Sequence, residues 1–153
     1  MSDDLPGGIL PVERTLTGTL GIEVVEVTDE LVRGRIPVED RVRQPYGIVH
    51  GGAIVALAES LTSMGTARGV AADGKLAMGQ EINASFMRPI TAGYVNALAR
   101  VRRTGRTAWN WDVEVTDDGG RLCALLRATI AVRDVPERPF PAQAGEVPPA
   151  GAG

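Results

Sequence analysis

The chain has 153 residues and carries 16 Lys and Arg against 19 Asp and Glu, a formal net charge of −3. That length suits one domain with a substantial core, and the acidic balance argues against a nucleic-acid surface, whose footprint is strongly basic. A single Cys and a single His exclude an intramolecular disulfide and leave too few ligands for a multi-ligand zinc site.

In chain order, residues 1–13 read as a flexible lead into a domain over residues 14–135. The opening "MSDDLPGG" lacks the basic-then-apolar layout of a signal peptide. No run reaches the roughly 18 apolar residues that span a bilayer, so the expected location is the cytoplasm, with no membrane partner. Residues 21–27 and 30–38 are rich in β-branched residues around a short polar break, which predicts a hairpin. A helix follows over residues 51–65, where Ala53, Ile54, Leu57, Ala58 and Leu61 recur at helical spacing. Gly65 and Gly69 are read as its terminators. Three strands are predicted over residues 76–88, 94–103 and 107–116. "DDGG" at residues 117–120 is a turn, and residues 121–133 make a last strand. Cys123, inside the apolar run "LCALL", reads as a small core residue. From Pro136 the sequence turns to Pro, Gly and Ala, which predicts a disordered tail over residues 136–153. The order β-β-α-β-β-β-β predicts an α+β layer fold, one long helix packed on a five- to six-stranded antiparallel sheet.

The stretch "YGIVHGGAIVALAESLTS" raises the functional question. The first N–H groups of a helix have no partner within it, and the helix start is partially positive. Gly51 and Gly52 after His50 let a ligand approach that backbone closely, so the Gly51 N–H can face a developing oxyanion. Glu59 sits in an otherwise apolar run with Val55, Ala56, Thr62 and Ser63 three or four residues away, and Glu59 and Ser63 share a face. A carboxylate among small apolar side chains needs a partner or a task. Gly51 and Glu59 are eight residues apart, about 12 Å along a helix, beyond a glutamate's reach. If both act on one carbonyl, two chains must supply them, and a two-fold pair of antiparallel helices does so.

Three stretches, "RQPYGIVHGGAIVALAESLTS", "GQEINASFMRP" and "RTGRTAWNWDVEVTDDGGRLCA", resemble the hotdog-fold acyl-CoA thioesterases. The resemblance is to the branch with a catalytic glutamate, which includes 1,4-dihydroxy-2-naphthoyl-CoA thioesterases of menaquinone synthesis and one type of 4-hydroxybenzoyl-CoA thioesterase. Phenylacetyl-CoA thioesterases are broader relatives and tend to have Asp where this chain has Glu59. The combined pattern Q-x5-H-G-G-x6-E-x3-[ST] runs from Gln44 to Ser63. The resemblance implies that Glu59 attacks the thioester carbonyl or activates water, and that the Gly51 N–H polarises it. It implies that Gln44 and His50 orient the thioester and the entering loop, and that Ser63 places water or Glu59. Arg106 and Thr107 in "TGRTAW", with Arg88 in "FMRP", are the expected contacts to the nucleotide end of coenzyme A, arginine being a fixed donor fork. Val55, Ala56, Ile82, Phe86 and Trp109 are candidate lining for an aromatic acyl group. A homotetramer built from two dimers is implied, with no cofactor beyond the coenzyme A of the substrate.

A thioester is electrophilic and thiolate leaves readily, so an oxyanion site, a carboxylate and water suffice, with no metal. A serine hydrolase is disfavoured because no G-x-S-x-G elbow occurs. A dehydratase on the same fold would space its motifs differently. A non-catalytic acyl-CoA sensor would not need a carboxylate facing the oxyanion site.

Overall fold

The structure, a computed structural model, describes residues 10–136. The expected tail after Pro136 and most of the expected flexible lead lie outside these residues. At the end of that lead, Val12–Arg14 form a 3-10 turn that runs into the domain, followed by a short helix α1, Leu16–Leu20. Gly21 closes α1 with φ +68°, a left-handed conformation that glycine adopts without a Cβ penalty. The first strand therefore begins later than the periodicity predicts, as β1, Glu23–Val27, paired with β2, Leu31–Pro37. Their turn is held by Thr28, whose Oγ1 accepts from the N–H groups of Glu30 and Leu31 at 3.2 and 3.1 Å.

Helix α2, Gly51–Val70, lies across the sheet. It runs past Gly65, where the sequence predicts its end. A Cβ on Gly65 would come within 2.6 Å of the Trp111 ring, and one on Gly69 within 2.2 Å of the Trp109 ring. These glycines admit two indoles against the helix instead of ending it. The remaining strands are β3, Lys75–Phe86; β4, Tyr94–Thr104; β5, Ala108–Thr116; and β6, Leu122–Asp134. All pairings are antiparallel, in the order β1-β2-β4-β5-β6-β3. The predicted fold class, one long helix on an antiparallel sheet, is the one observed, with six strands.

The core lies between α2 and the sheet. Val32 and Ile36 of β2, Val95 of β4, Trp111, Val113 and Val115 of β5, and Ile130 of β6 face Leu57 and Leu61 of α2, all fully buried. Cys123 is buried with them. Burial on this scale drives folding at about 25 cal/mol per Å² of apolar surface. At the β5–β6 turn, Asp117 accepts from the backbone N–H and side chain of Arg121 at 3.0 and 2.7 Å. That hydrogen bond to the guanidinium holds the Asp117 carboxyl below the usual carboxylate range.

The order of strands sends the chain after α2 to the far edge of the sheet. Among the described residues β3 is therefore paired on one side only, with β6. It is long, and it exposes Met78 and Phe86.

Candidate active site

The site is assembled from a rigid turn, the start of α2, and the exposed edge strand. The sequence "QPYGI" forms the turn. Gly47 N–H donates to the Gln44 carbonyl at 2.8 Å, and Gln44 N–H donates to the Ile48 carbonyl at 2.9 Å. Pro45 occupies the position where a fixed φ is favoured, and Gly47 has φ +87°, which glycine tolerates best. The Arg43 guanidinium ties this turn to the β3–β4 loop by donating to the carbonyls of Gly47 and Thr91. His50 N–H donates to the Val42 carbonyl at 2.8 Å, so the entry to α2 is fixed on both sides.

His50 is the N-cap of α2. Its Nδ1 accepts from the Gly52 N–H at 2.8 Å, and its carbonyl accepts from Ala53 and Ile54 at 3.0 and 3.4 Å. The orphan donors of Gly52 and Ala53 are thus satisfied, and the Ile54 bond is the first regular one of the helix. The Gly51 N–H has no hydrogen-bond partner among the described residues. The cap selects which donor stays free. That donor points from the positive end of a 20-residue helix with no acidic side chain in its first turn. Gly52, expected to offer its backbone to a ligand, spends its N–H on His50. Phe86, at the end of β3, lays its ring against Gly51, where a Cβ would meet it at 2.9 Å.

Two turns along α2, the Glu59 carboxylate lies over Gly79 of β3, where a Cβ would sit 2.6 Å from Oε1. The strand is irregular there, with a bulge between Gly79 and Glu81. Ser63, one turn further, has a buried Oγ with no hydrogen-bond partner. A buried hydroxyl left unpaired costs about 1–3 kcal/mol. Thr62, read from spacing as a neighbour of this face, is fully buried, and its Oγ1 donates back to the Ala58 carbonyl of α2 at 2.8 Å.

Within one protomer the two halves stay apart. Gly51 touches β3 at Phe86 and Glu59 touches it at Gly79, seven residues away, roughly 23 Å along a strand. The arginines divide the same way. Arg88 follows the Phe86 end and donates to the Leu122 carbonyl at 3.3 Å. Arg106 lies exposed in the β4–β5 turn beside Thr107, whose carbonyl accepts from Val132 N–H at 2.9 Å. That turn is level with Met78, through the Ala108–Ala131 and Ala131–Met78 pairs. Arg106 forms no ion pair among the described residues.

Of the expected lining residues, Val55 and Ala56 are half-buried on α2, and Ile82 packs against the core. Trp109 is placed elsewhere. It stacks on Trp111 with centroids 6.2 Å apart and sits under Gly69, ten residues beyond Glu59. It belongs to the core because the helix continues over it. Sequence spacing did not single out Gly79. The signal was an isolated glycine inside a strand pattern, which marks a bulge or a close approach.

A helix-start N–H and a carboxylate that lack partners among the described residues suit attack on an acyl carbon. Comparison with known proteins points to the same chemistry. The Thioesterase superfamily model matches residues 46–124. The proofreading thioesterase EntH of Cronobacter turicensis is 39% identical over 121 residues, which span 77% of this chain and 85% of that protein. EntH of Klebsiella pneumoniae is 37% identical over 120 residues, 78% of this chain and 87% of that one. Among solved structures, a mutant of the thioesterase PA1618 from Pseudomonas aeruginosa superposes with a TM-score of 0.77 at 36% identity, covering 80% of this chain and 88% of that one. The thioesterase HI1161 of Haemophilus influenzae superposes with a TM-score of 0.76 at 30% identity, covering 87% and 97%.

Proposed function

Because this chain belongs to the thioesterase superfamily and is a thioester hydrolase, we propose that it hydrolyses an aromatic acyl-CoA at a site shared by two protomers. The observation that carries this reading is the pairing of an unpartnered Gly51 N–H at Phe86 with a carboxylate held at Gly79, seven residues away on the same edge strand. Among the described residues β3 is unpaired along its outer side. Antiparallel pairing of two β3 strands about an axis near Ile82 and Asn83 brings the Gly79 stretch of one opposite the Phe86 stretch of its partner. Glu59 of one chain then faces the Gly51 N–H of the other. The same operation carries Arg88 of one chain toward Arg106 and Thr107 of its partner, a two-arginine setting for coenzyme A phosphates. A tetramer of two such dimers completes the proposed assembly.

In the proposed reaction the thioester carbonyl accepts from the Gly51 N–H, which stabilises the oxyanion as it forms. Gln44 and His50 border the same helix start and orient the thioester, and Ser63 sets Glu59 or the water. Glu59 either attacks the carbonyl carbon to give an anhydride that water opens, or removes a proton from water as it attacks. In both routes the C–S bond breaks, the thiolate takes up a proton and one water is consumed. Direct attack puts the water oxygen in the free acid, whereas water opening the anhydride at the Glu59 carbonyl leaves it in the Glu59 carboxylate. Single turnover in 18O-water separates them, since only the anhydride route places the first oxygen from Glu59. The substrates proposed first are 1,4-dihydroxy-2-naphthoyl-CoA and then 4-hydroxybenzoyl-CoA, with Val55, Ala56 and Phe86 lining the acyl group.

The test is thiol release from aryl and aliphatic acyl-CoAs, by each variant alone and by mixtures. Glu59→Gln and Gln44→Ala, each poorly active alone, are expected to regain activity when unfolded together and refolded as mixed dimers, because one intact site then forms. No recovery in verified mixed dimers means that one chain carries the whole site. Binding of acyl-CoA by wild type with no thiol release would make the protein a sensor.

A further inference from the structure

We propose that Gly79 is a positioning residue for the reaction, seating the Glu59 carboxylate by having no side chain. The proposal rests on reading Glu59 as the reacting carboxylate. The three heavy atoms nearest to a Cβ built on Gly79 all belong to Glu59, Oε1 at 2.6 Å and Cδ and Cγ at 3.3 Å. Neither of the usual demands for glycine applies here. Gly79 is not among the residues with positive φ, so the backbone does not require it. It is exposed, so no core atom crowds it. What it accommodates is the end of one side chain, reached from α2 across the edge of the sheet. The bulge between Gly79 and Glu81 removes the strand from regular pairing at the same place, and bulges re-aim the groups around them.

The consequence separates stability from chemistry. A methyl group at position 79 meets the far end of a flexible glutamate, not backbone. The carboxylate therefore yields and the fold does not. Alanine is also at least as compatible with a strand interior as glycine. A displacement of about 1 Å in a reacting group costs on the order of a hundredfold in rate.

The experiment uses the full chain and benzoyl-CoA, with Gly79→Ala, Glu59→Gln and the double variant. Gly79→Ala is expected to keep the wild-type Tm and oligomeric state, to hold KM within about twofold, and to lose about ten- to a hundredfold in kcat. Glu59→Gln is expected to cost less in the Gly79→Ala background than in wild type, because the carboxylate is already misplaced. Additive losses overturn the proposal, since the two positions then act independently. A Gly79→Ala protein that aggregates or dissociates also overturns it, because the backbone has then given way. If Gly79→Ala keeps full kcat while Glu59→Gln is inactive, only the seating role of Gly79 fails. If Glu59→Gln itself is fully active, the reading of Glu59 fails first.

Discussion

Helix α2 presents two faces finished to different degrees. On the face against the sheet every polar group is satisfied. Thr62 donates to the Ala58 carbonyl, Thr66 Oγ1 donates to the Thr62 carbonyl at 2.9 Å, and the buried Trp111 Nε1 donates to Thr66 Oγ1 at 3.0 Å. On the face turned toward β3, the Ser63 hydroxyl is buried and unpaired, Glu59 rests on a bare glycine, and the helix opens on a free N–H. The first face closes a core, and buried polar groups there must find partners within the chain. The second, where the proposed site lies, leaves the Ser63 hydroxyl and the Gly51 N–H without partners among the described residues.

Substitutions on the two faces should therefore separate activity from stability. The largest expected effect is at Glu59. Glu59→Gln should lower kcat by about a hundredfold or more and leave the melting temperature unchanged, as read by thiol release and calorimetry. Equal loss of stability would place Glu59 with the structural face. Next is Gly65→Ala, whose Cβ would meet the Trp111 ring at 2.6 Å and Val32 at 2.9 Å. A rigid ring cannot give, so the expected cost is about 1–3 kcal/mol of unfolding free energy, with kcat per folded molecule preserved. Thr66→Val should destabilise by about 1–3 kcal/mol, because it strands the buried Trp111 N–H; denaturant unfolding measures it. Ser63→Ala is the smallest in stability. It removes a hydroxyl that no protein group satisfies, so Tm should hold or rise slightly, while kcat falls. A clear drop in Tm would mean the hydroxyl has a structural partner in the assembled protein.

The same contrast explains which features were legible in advance. The sheet-facing stripe of Ala53, Ile54, Leu57, Ala58 and Leu61 follows helical spacing, so the helix and its buried side were readable. Its end was not. Gly65 and Gly69 look like terminators locally, and only the two indoles beneath them show that they are sites of close packing. The conformation of "QPYGI" is written in its Pro and Gly. Glu59 and Ser63 stood out because polar side chains interrupted an apolar pattern. Gly79 did not, since a glycine records nothing of the side chain lying on it.

The sequence by itself determined the α+β class, the six strands to within a few residues at their ends, and the start of the long helix with its buried stripe. These depend on local propensity, periodicity and spacing, which act over a few residues along one chain. Tertiary structure alone decided that β3 lies at the edge of the sheet, that His50 takes the Gly52 N–H and leaves that of Gly51 free among the described residues, and that Gly51 and Glu59 meet the same strand seven residues apart. Those outcomes depend on how distant segments pack against one another, and no local pattern encodes the pairing of residues that approach only when the chain has folded.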